Sequence, residues 1–231
     1  MTPADVAAAC AAAAVEVDAD GTRRLLRYVE LLLDANQRTN LTRIVEPREV
    51  LDKHLIDALL GLPRLAAPLV DIGSGGGIPG LVLACVRPGW AITLVESVSR
   101  KASFLREASA ALGLSQVTVL GERAEVLGQG ELREGFRCVT LRAVSSVPTC
   151  LELGLPLAEP GGGVLLYRGP QLEEPERAER VAHQLGGGAP QSSAYTLPDG
   201  SGRTLVWVPK LRATPERFPR RDGVPAKRPL K

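Results

Sequence analysis

The sequence predicts an α/β fold: a mostly parallel sheet with helices on both faces, preceded by a helical extension. Three observations carry this. From about residue 67, short apolar runs alternate with helical stretches, which implies right-handed βαβ units. The segment LVDIGSGGGIPG (69–80) reads as a strand passing through a glycine loop into a helix. Ahead of it, residues 1–62 carry helical periodicity and no alternating strand pattern.

Taken in order, Leu25, Leu26, Val29, Leu32 and Leu33 recur at helical spacing, with Thr22 expected as the N-cap. Pro47 is expected to open another helix, whose apolar stripe is Val50, Leu51, His54, Leu55, Ala58 and Leu59. Strands are expected near 67–72, 91–96, 116–120, 136–141 and 163–168, and helices near 78–86, 98–112, 148–158 and 171–185. A last pair, near 192–197 and 203–209, flanks the turn sequence Pro198-Asp199-Gly200 and reads as an antiparallel hairpin at the sheet edge. Three regions follow: a helical extension over 1–62, the main domain over 63–210, and a tail over 211–231.

Composition narrows the class. A length of 231 residues suits one α/β domain with a small extension. Aromatics make up only 3%, so Ala, Val and Leu must fill the core. Cys10, Cys85, Cys138 and Cys150 are scattered without a CxxC pair, which argues against zinc or a disulfide framework and for a reducing, cytoplasmic setting. The longest apolar run, Val6–Val15, is too short to span a bilayer. Net charge is +2, but residues 210–231 hold eight basic and two acidic residues, which leaves the rest at −4. Four prolines and no apolar period make that tail an extended basic arm in expectation.

The glycine loop carries the chemistry. Gly73, Gly75, Gly76, Gly77 and Gly80 give a segment that tolerates positive φ and close ligand approach, with free N–H groups at a helix start. Gly75-x-Gly77-x-x-Gly80 satisfies a dinucleotide fingerprint, so a nicotinamide-dependent oxidoreductase is one reading. Asp71 within the strand, the run D-x-G-x-G-x-G and the preceding helical segment fit S-adenosylmethionine (SAM) better. Glu96, at the end of the next strand and about 20 residues past the loop, is placed to accept both hydroxyls of a ribose.

Further segments extend the match: NQRTNLT (36–42), EPREVLDKHLIDALL (46–60), TLVESVSRKASFL (93–105), GERAE (121–125), LRAVSS (141–146), LYRG (166–169) and FPRRDGVPAKRPL (218–230). With them the chain resembles the ribosomal RNA small subunit methyltransferase G family, also called glucose-inhibited division protein B. The resemblance implies a class I SAM-dependent methyltransferase, with a Rossmann-like, mostly parallel seven-stranded sheet. It also implies methyl transfer to N7 of a guanine, guanosine 527, in the 530 loop of 16S rRNA. It places Gly73, Gly75, Gly77 and Ile78 at the cofactor, Glu96 on the ribose, Ala124 and Glu125 at the adenine end, and Arg142 beside the methionine moiety or the incoming RNA. The expected partner is 16S rRNA in the small subunit or an assembly intermediate, met by a monomer without metal or membrane. Arg137, Leu141 and Arg168 depart from the family's usual residues.

The residues agree with N7 chemistry by what they lack. N7 carries an in-plane lone pair and no proton, so proximity and orientation can supply most of the acceleration without a general base. The chain has no Asp/Asn-Pro-Pro-aromatic motif for exocyclic amines and no Pro-Cys dipeptide for cytosine C5. No catalytic residue is assigned, and Arg142 is the candidate for positioning. His54 reads either as core packing or as an orienting group, and Asp71 either as a loop anchor or as a stabiliser of developing positive charge. RNA contacts are expected from Arg168, Arg217, Arg220, Arg221, Lys227 and Arg228, by phosphate neutralisation. A small-molecule SAM methyltransferase of the same fold is one alternative; a non-enzymatic ribosome-binding protein of that fold is another, against which the intact glycine loop and Glu96 argue.

Overall fold

The structure, a computed structural model, describes residues 1–231. The seven strands are β1 (Leu69–Ile72), β2 (Ile92–Val95), β3 (Val117–Leu120), β4 (Phe136–Arg142), β5 (Ala158–Arg168), β6 (Gln191–Thr196) and β7 (Gly202–Pro209). They form one sheet in the order β3-β2-β1-β4-β5-β7-β6. The pairs from β3 to β5 are parallel, and β7 runs antiparallel to both β5 and β6. The chain steps outward from β1 to β3, then returns to β1's other side with β4. That reversal makes the gap between β1 and β4 the switch point, where ligands bind in open α/β sheets.

Strand side chains alternate between two cores, as a sheet buried on both faces requires. Leu69, Ile92, Leu94, Leu165 and Leu205 join one cluster. Val70, Ile72, Val139, Leu141, Val164 and Val206 join the other. The first cluster contains α5 (Gly80–Val86) and α6 (Ser99–Ala111), and the N-terminal helices α1 (Pro3–Ala12) and α2 (Ala19–Thr39) pack into it. The second contains α8 (Val147–Gly154) and α9 (Pro175–Gln184), with Ala124 of α7 (Ala124–Gln129).

The N-terminal segment is helical as expected, with one correction at its start. Asp18, not Thr22, caps α2: its carboxylate accepts the Gly21 N–H at 2.6 Å, while the Thr22 hydroxyl donates to the Asp18 carbonyl at 3.0 Å. Pro47 does open a helix, α3 (Pro47–Val50). It runs through a π-helical stretch, Leu51–Ile56, into α4 (Asp57–Leu59). Such stretches concentrate at functional sites, and this one carries Lys53 and His54 and leads directly into Asp57.

The basic tail is not an extended arm. Phe218 is buried in the second core, and Pro219 packs against Gly128 of α7. Arg133 donates to the carbonyls of Thr214 and Phe218. A short helix, α10 (Val224–Lys227), then lies against α8, where the Thr149 hydroxyl donates to the Pro225 carbonyl at 3.0 Å. Local composition points to solvent because the tail's anchors lie far away in sequence: Arg177 is 53 positions from Leu230, Glu152 is 68 from Arg220 and Thr149 is 76 from Pro225.

Candidate active site at the carboxyl ends of β1, β2 and β4

Asp71 holds the glycine loop from beneath. Its Oδ2 accepts the Gly80 N–H at 3.2 Å and its Oδ1 accepts the Thr140 hydroxyl at 2.8 Å, which ties α5 and β4 to β1. Burial pushes the Asp71 carboxyl up to about 6, against the opposing pull of bonds from Thr140, Ser74 and Gly80. Of the two sequence readings of Asp71, the geometry supports the loop anchor. Gly73 takes φ +69°, and a Cβ there would sit 2.8 Å from Val144. Gly75 takes φ +55°, and its N–H donates to Glu96 Oε2 at 3.0 Å. Glu96 Oε1 accepts the Val98 N–H at 2.8 Å. An ionised carboxylate has roughly four lone-pair positions, so this nearly buried group keeps acceptor capacity after both backbone bonds.

Three hollows run side by side along the strand ends. The first is lined by Gly73, Val95, Ser97, Arg123, Ala124, Glu125 and Val144. The second shares Gly73 and adds Thr42, His54, Gly75, Ile78, Lys101 and Arg142. The third shares Arg142 with the second and adds Asp57, Tyr167, Arg168 and Arg203. Glu96 stands where the first two meet, since Val95 and Ser97 line one and its partner Gly75 lines the other. Ala143, between the second and third hollows, holds φ +55°, a left-handed backbone that favours glycine and concentrates at functional sites.

Arg142 is fixed rather than free. Its Nη2 donates to the Lys53 carbonyl at 2.5 Å and lies 3.1 Å from Asp57 Oδ2. Asp57 is 2% exposed on its side chain and also accepts the Tyr195 hydroxyl. This network binds the N-terminal extension to β4 and to the hairpin strand β6.

His54 is buried, as core packing requires, and it also lines the second hollow. Nδ1 lies 3.2 Å from the Lys53 carbonyl and Nε2 lies 2.8 Å from Thr42 Oγ1, which together select the neutral Nδ1–H tautomer with Nε2 accepting. Burial, then the charge of Arg142, lowers its pKa to about 4. A base depressed from its ordinary value near 6.5 contributes stability above that value and loses it as pH falls toward 4. Asp71, raised to about 6, works in the opposite sense and favours folding as pH falls through 6. H54Q, which keeps an acceptor toward Thr42, is therefore expected to flatten the acid-side loss of stability between pH 6.5 and 4.5 by at least about 1 kcal/mol. Urea unfolding over that range measures it, and an unchanged slope would refute the assignment.

The sequence-predicted residues separate into those at the hollows and those elsewhere. Gly73, Gly75, Ile78, Ala124, Glu125 and Arg142 line them, with Glu96 between. Gly77 lines none; it takes φ +94° three residues before α5, and a Cβ there would meet Leu81 at 2.7 Å. Arg168 lines the third hollow and donates to the Ser145 carbonyl at 2.7 Å. Arg220 is removed from the set of RNA contacts: it makes a forked pair with buried Glu152, at 2.7 and 2.6 Å. Arg217 lies over the Phe218 ring, 5.1 Å from its centroid. Arg221, Lys227 and Arg228 remain exposed on the docked tail. Missed in the sequence were Asp57, Lys101 and Arg203. Asp57 had a signal, three residues after His54 on one helix, whereas Arg203 reaches the site only through the hairpin.

No group of three or more His, Cys, Asp or Glu side chains is arranged to hold a metal ion, and no helix is long and apolar enough to cross a membrane.

The rRNA small subunit methyltransferase G family matches residues 22–196, which includes the glycine loop, Glu96, Arg142 and the π-helical stretch. The chain belongs to this family. A ribosomal RNA small subunit methyltransferase G from Symbiobacterium thermophilum is 40% identical over 228 residues, covering 94% of this chain and 93% of the relative. The relative of the same name from Limosilactobacillus reuteri is 35% identical over 240 residues and covers both chains fully. Among solved structures, an O-methyltransferase from Bacillus cereus in complex with SAH superposes with TM-score 0.54 at 16% identity, covering 79% of this chain and 90% of that one. A 16S rRNA (adenine(1408)-N(1))-methyltransferase from Catenulisporales acidiphilia gives TM-score 0.52 at 15% identity, covering 64% and 86%. At those identities the likeness concerns the fold, which is the class I SAM-dependent methyltransferase sheet. Membership in an rRNA methyltransferase family decides against the oxidoreductase and small-molecule readings of the glycine loop.

Proposed function

We propose that this enzyme transfers the methyl group of SAM to N7 of guanosine 527 in the 530 loop of 16S rRNA. The observation that carries the reading is the continuous row of hollows from Glu125 to Arg203, with Glu96 at the first junction and Arg142 at the second. The residues fit the cofactor. Glu96 keeps lone pairs for two ribose hydroxyls, Ala124 and Glu125 face the adenine end, and the positive-φ Gly73 and Gly75 let the chain's backbone approach closely. SAM supplies an activated methyl group on a sulfonium.

The chain's residues then orient and exclude rather than move protons. N7 has no proton to lose, so no general base is needed, and the neutral His54 with Nε2 engaged by Thr42 agrees with that. Arg142, locked by Asp57 and the Lys53 carbonyl, presents a rigid edge to the middle hollow. Lys101, Arg168 and Arg203 line the row and supply cations for phosphates of the incoming loop. N7 faces a deep groove in A-form RNA, so the substrate is an accessible conformation within the subunit or an assembly intermediate.

Incubation with radiolabelled SAM and small subunits from cells lacking the enzyme is expected to label 16S rRNA. Binding of SAM without any transfer to those subunits would overturn the substrate assignment.

A further inference from the structure

Segment 218–228 crosses the outside of α7 and α8 and touches the wall of the first hollow midway, at Asp222 and Gly223. Arg220 is its main anchor: its backbone N–H, Nε and Nη2 all reach the carboxylate of Glu152, which is fully buried. Three residues later the Gly223 N–H donates to Glu125 Oε1 at 3.0 Å. Gly223 takes φ +73°, which turns that amide inward at the start of α10. Asp222 lies 3.5 Å from Arg123, another lining residue of the same hollow. The Thr149 hydroxyl holds the far side of the turn through the Pro225 carbonyl.

Glu125 is 5% exposed, and the strap's amide is the only protein donor to its carboxylate. A carboxylate oxygen in that position depends on the bond, because a buried acceptor without a partner is costly. The bond also fixes the rotamer. With Oε1 held by the strap, Oε2 stays available to a donor inside the hollow.

We propose that segment 218–228 is a positioning strap: by holding Glu125 and Arg123 at the wall of the first hollow, it sets the enzyme's affinity for the adenosine end of its cofactor. The inference rests on the cofactor reading given above. Of the strap's cations Arg220 serves docking, and the strap acts on cofactor affinity through Gly223 and Glu125.

Linkage makes the strap testable from both directions, since coupling between two binding events is reciprocal. R220A and the milder T149V release the strap at points outside the hollow. Titration calorimetry well below each variant's Tm is expected to show S-adenosylhomocysteine and adenosine both weakened, by at least fivefold in R220A and about twofold to threefold in T149V. R220K, which keeps charge without the fork, is expected to lie between R220A and the parent. In the unmodified enzyme, saturating S-adenosylhomocysteine is expected to slow tryptic cleavage after Arg221 at least fivefold, a readout that needs no variant to fold. Affinities within twofold of the parent in T149V and R220K with cleavage accelerated, or cleavage in the parent indifferent to the ligand, would overturn the strap. Absence of binding to the parent enzyme would instead overturn the cofactor reading on which the strap stands.

Discussion

E96A is expected to weaken S-adenosylhomocysteine binding at least a hundredfold. Two contributions add. In the proposed site the carboxylate is the acceptor for both ribose hydroxyls, and hydrogen bonds to a charged group contribute about 1.5–3 kcal/mol each. Their joint loss corresponds to roughly two to four orders of magnitude in Kd. The same side chain also holds the loop, through the Gly75 N–H at 3.0 Å and the Val98 N–H at 2.8 Å. E96Q keeps one acceptor oxygen but must donate with the other end, so it is expected to fall between the parent and alanine. Calorimetric titration separates the three proteins, and a loss below fivefold in E96A would show that the ribose is held elsewhere.

R142A is expected to lower stability by about 3–5 kcal/mol, because removing one partner of a buried pair leaves the other charge uncompensated. Asp57 would keep the Tyr195 hydroxyl but lose the guanidinium 3.1 Å away, and the Lys53 carbonyl would lose its donor. For a domain of this size the Tm should fall by roughly 6–20 °C. The double variant R142M with D57N removes both charges and is expected to recover much of the stability without recovering methyl transfer. That split separates the two contributions of Arg142. It joins the N-terminal extension to β4, and in the proposed mechanism it shapes the cleft between cofactor and RNA. Thermal unfolding together with transfer to small subunits measures both, and full stability in R142A would contradict the buried-pair account.

The parts legible in the sequence are those with local signatures. The strand into the glycine loop is marked by Leu69, Val70 and Ile72 ahead of Gly73, and the hairpin by Pro198-Asp199-Gly200 between two short strands. Asp71 on β1 and Glu96 just past β2 stand out in the sequence by position; the structure adds that Asp71 accepts the Gly80 N–H and Glu96 the Gly75 N–H. The cap of α2 was misplaced because Asp18 precedes an Ala-Asp-Gly run that looks like a turn but is already helical. Helix α7 was missed because it has only six residues, Ala124–Gln129, too few for a period to show. The expected start of β5 near 163 fell short because Ala158 already pairs with Phe136, beyond a bulge where Gly161 takes φ +88°.

The tail shows a different limit. Its charge and prolines describe a solvated arm, yet Arg220 meets Glu152 across 68 positions and Gly223 meets Glu125 across 98. Long-range pairs of this kind leave no spacing to read. The same holds for Arg203, which reaches the third hollow only because β7 pairs with β5. His54 was ambiguous for a physical reason: an apolar helical stripe that crosses a cleft gives the same pattern as one wholly in the core.

Borohydride and aniline treatment of 16S rRNA reports N7-methylguanosine directly as chain cleavage, and so tests the proposed methylation of one guanine. Small subunits lacking the modification should acquire a primer-extension stop at guanosine 527 after incubation with this enzyme and SAM, and none with E96A. Efficient methyl transfer to the subunit with no cleavage at that guanine would place the methyl group on another atom or another nucleotide and overturn the N7 assignment.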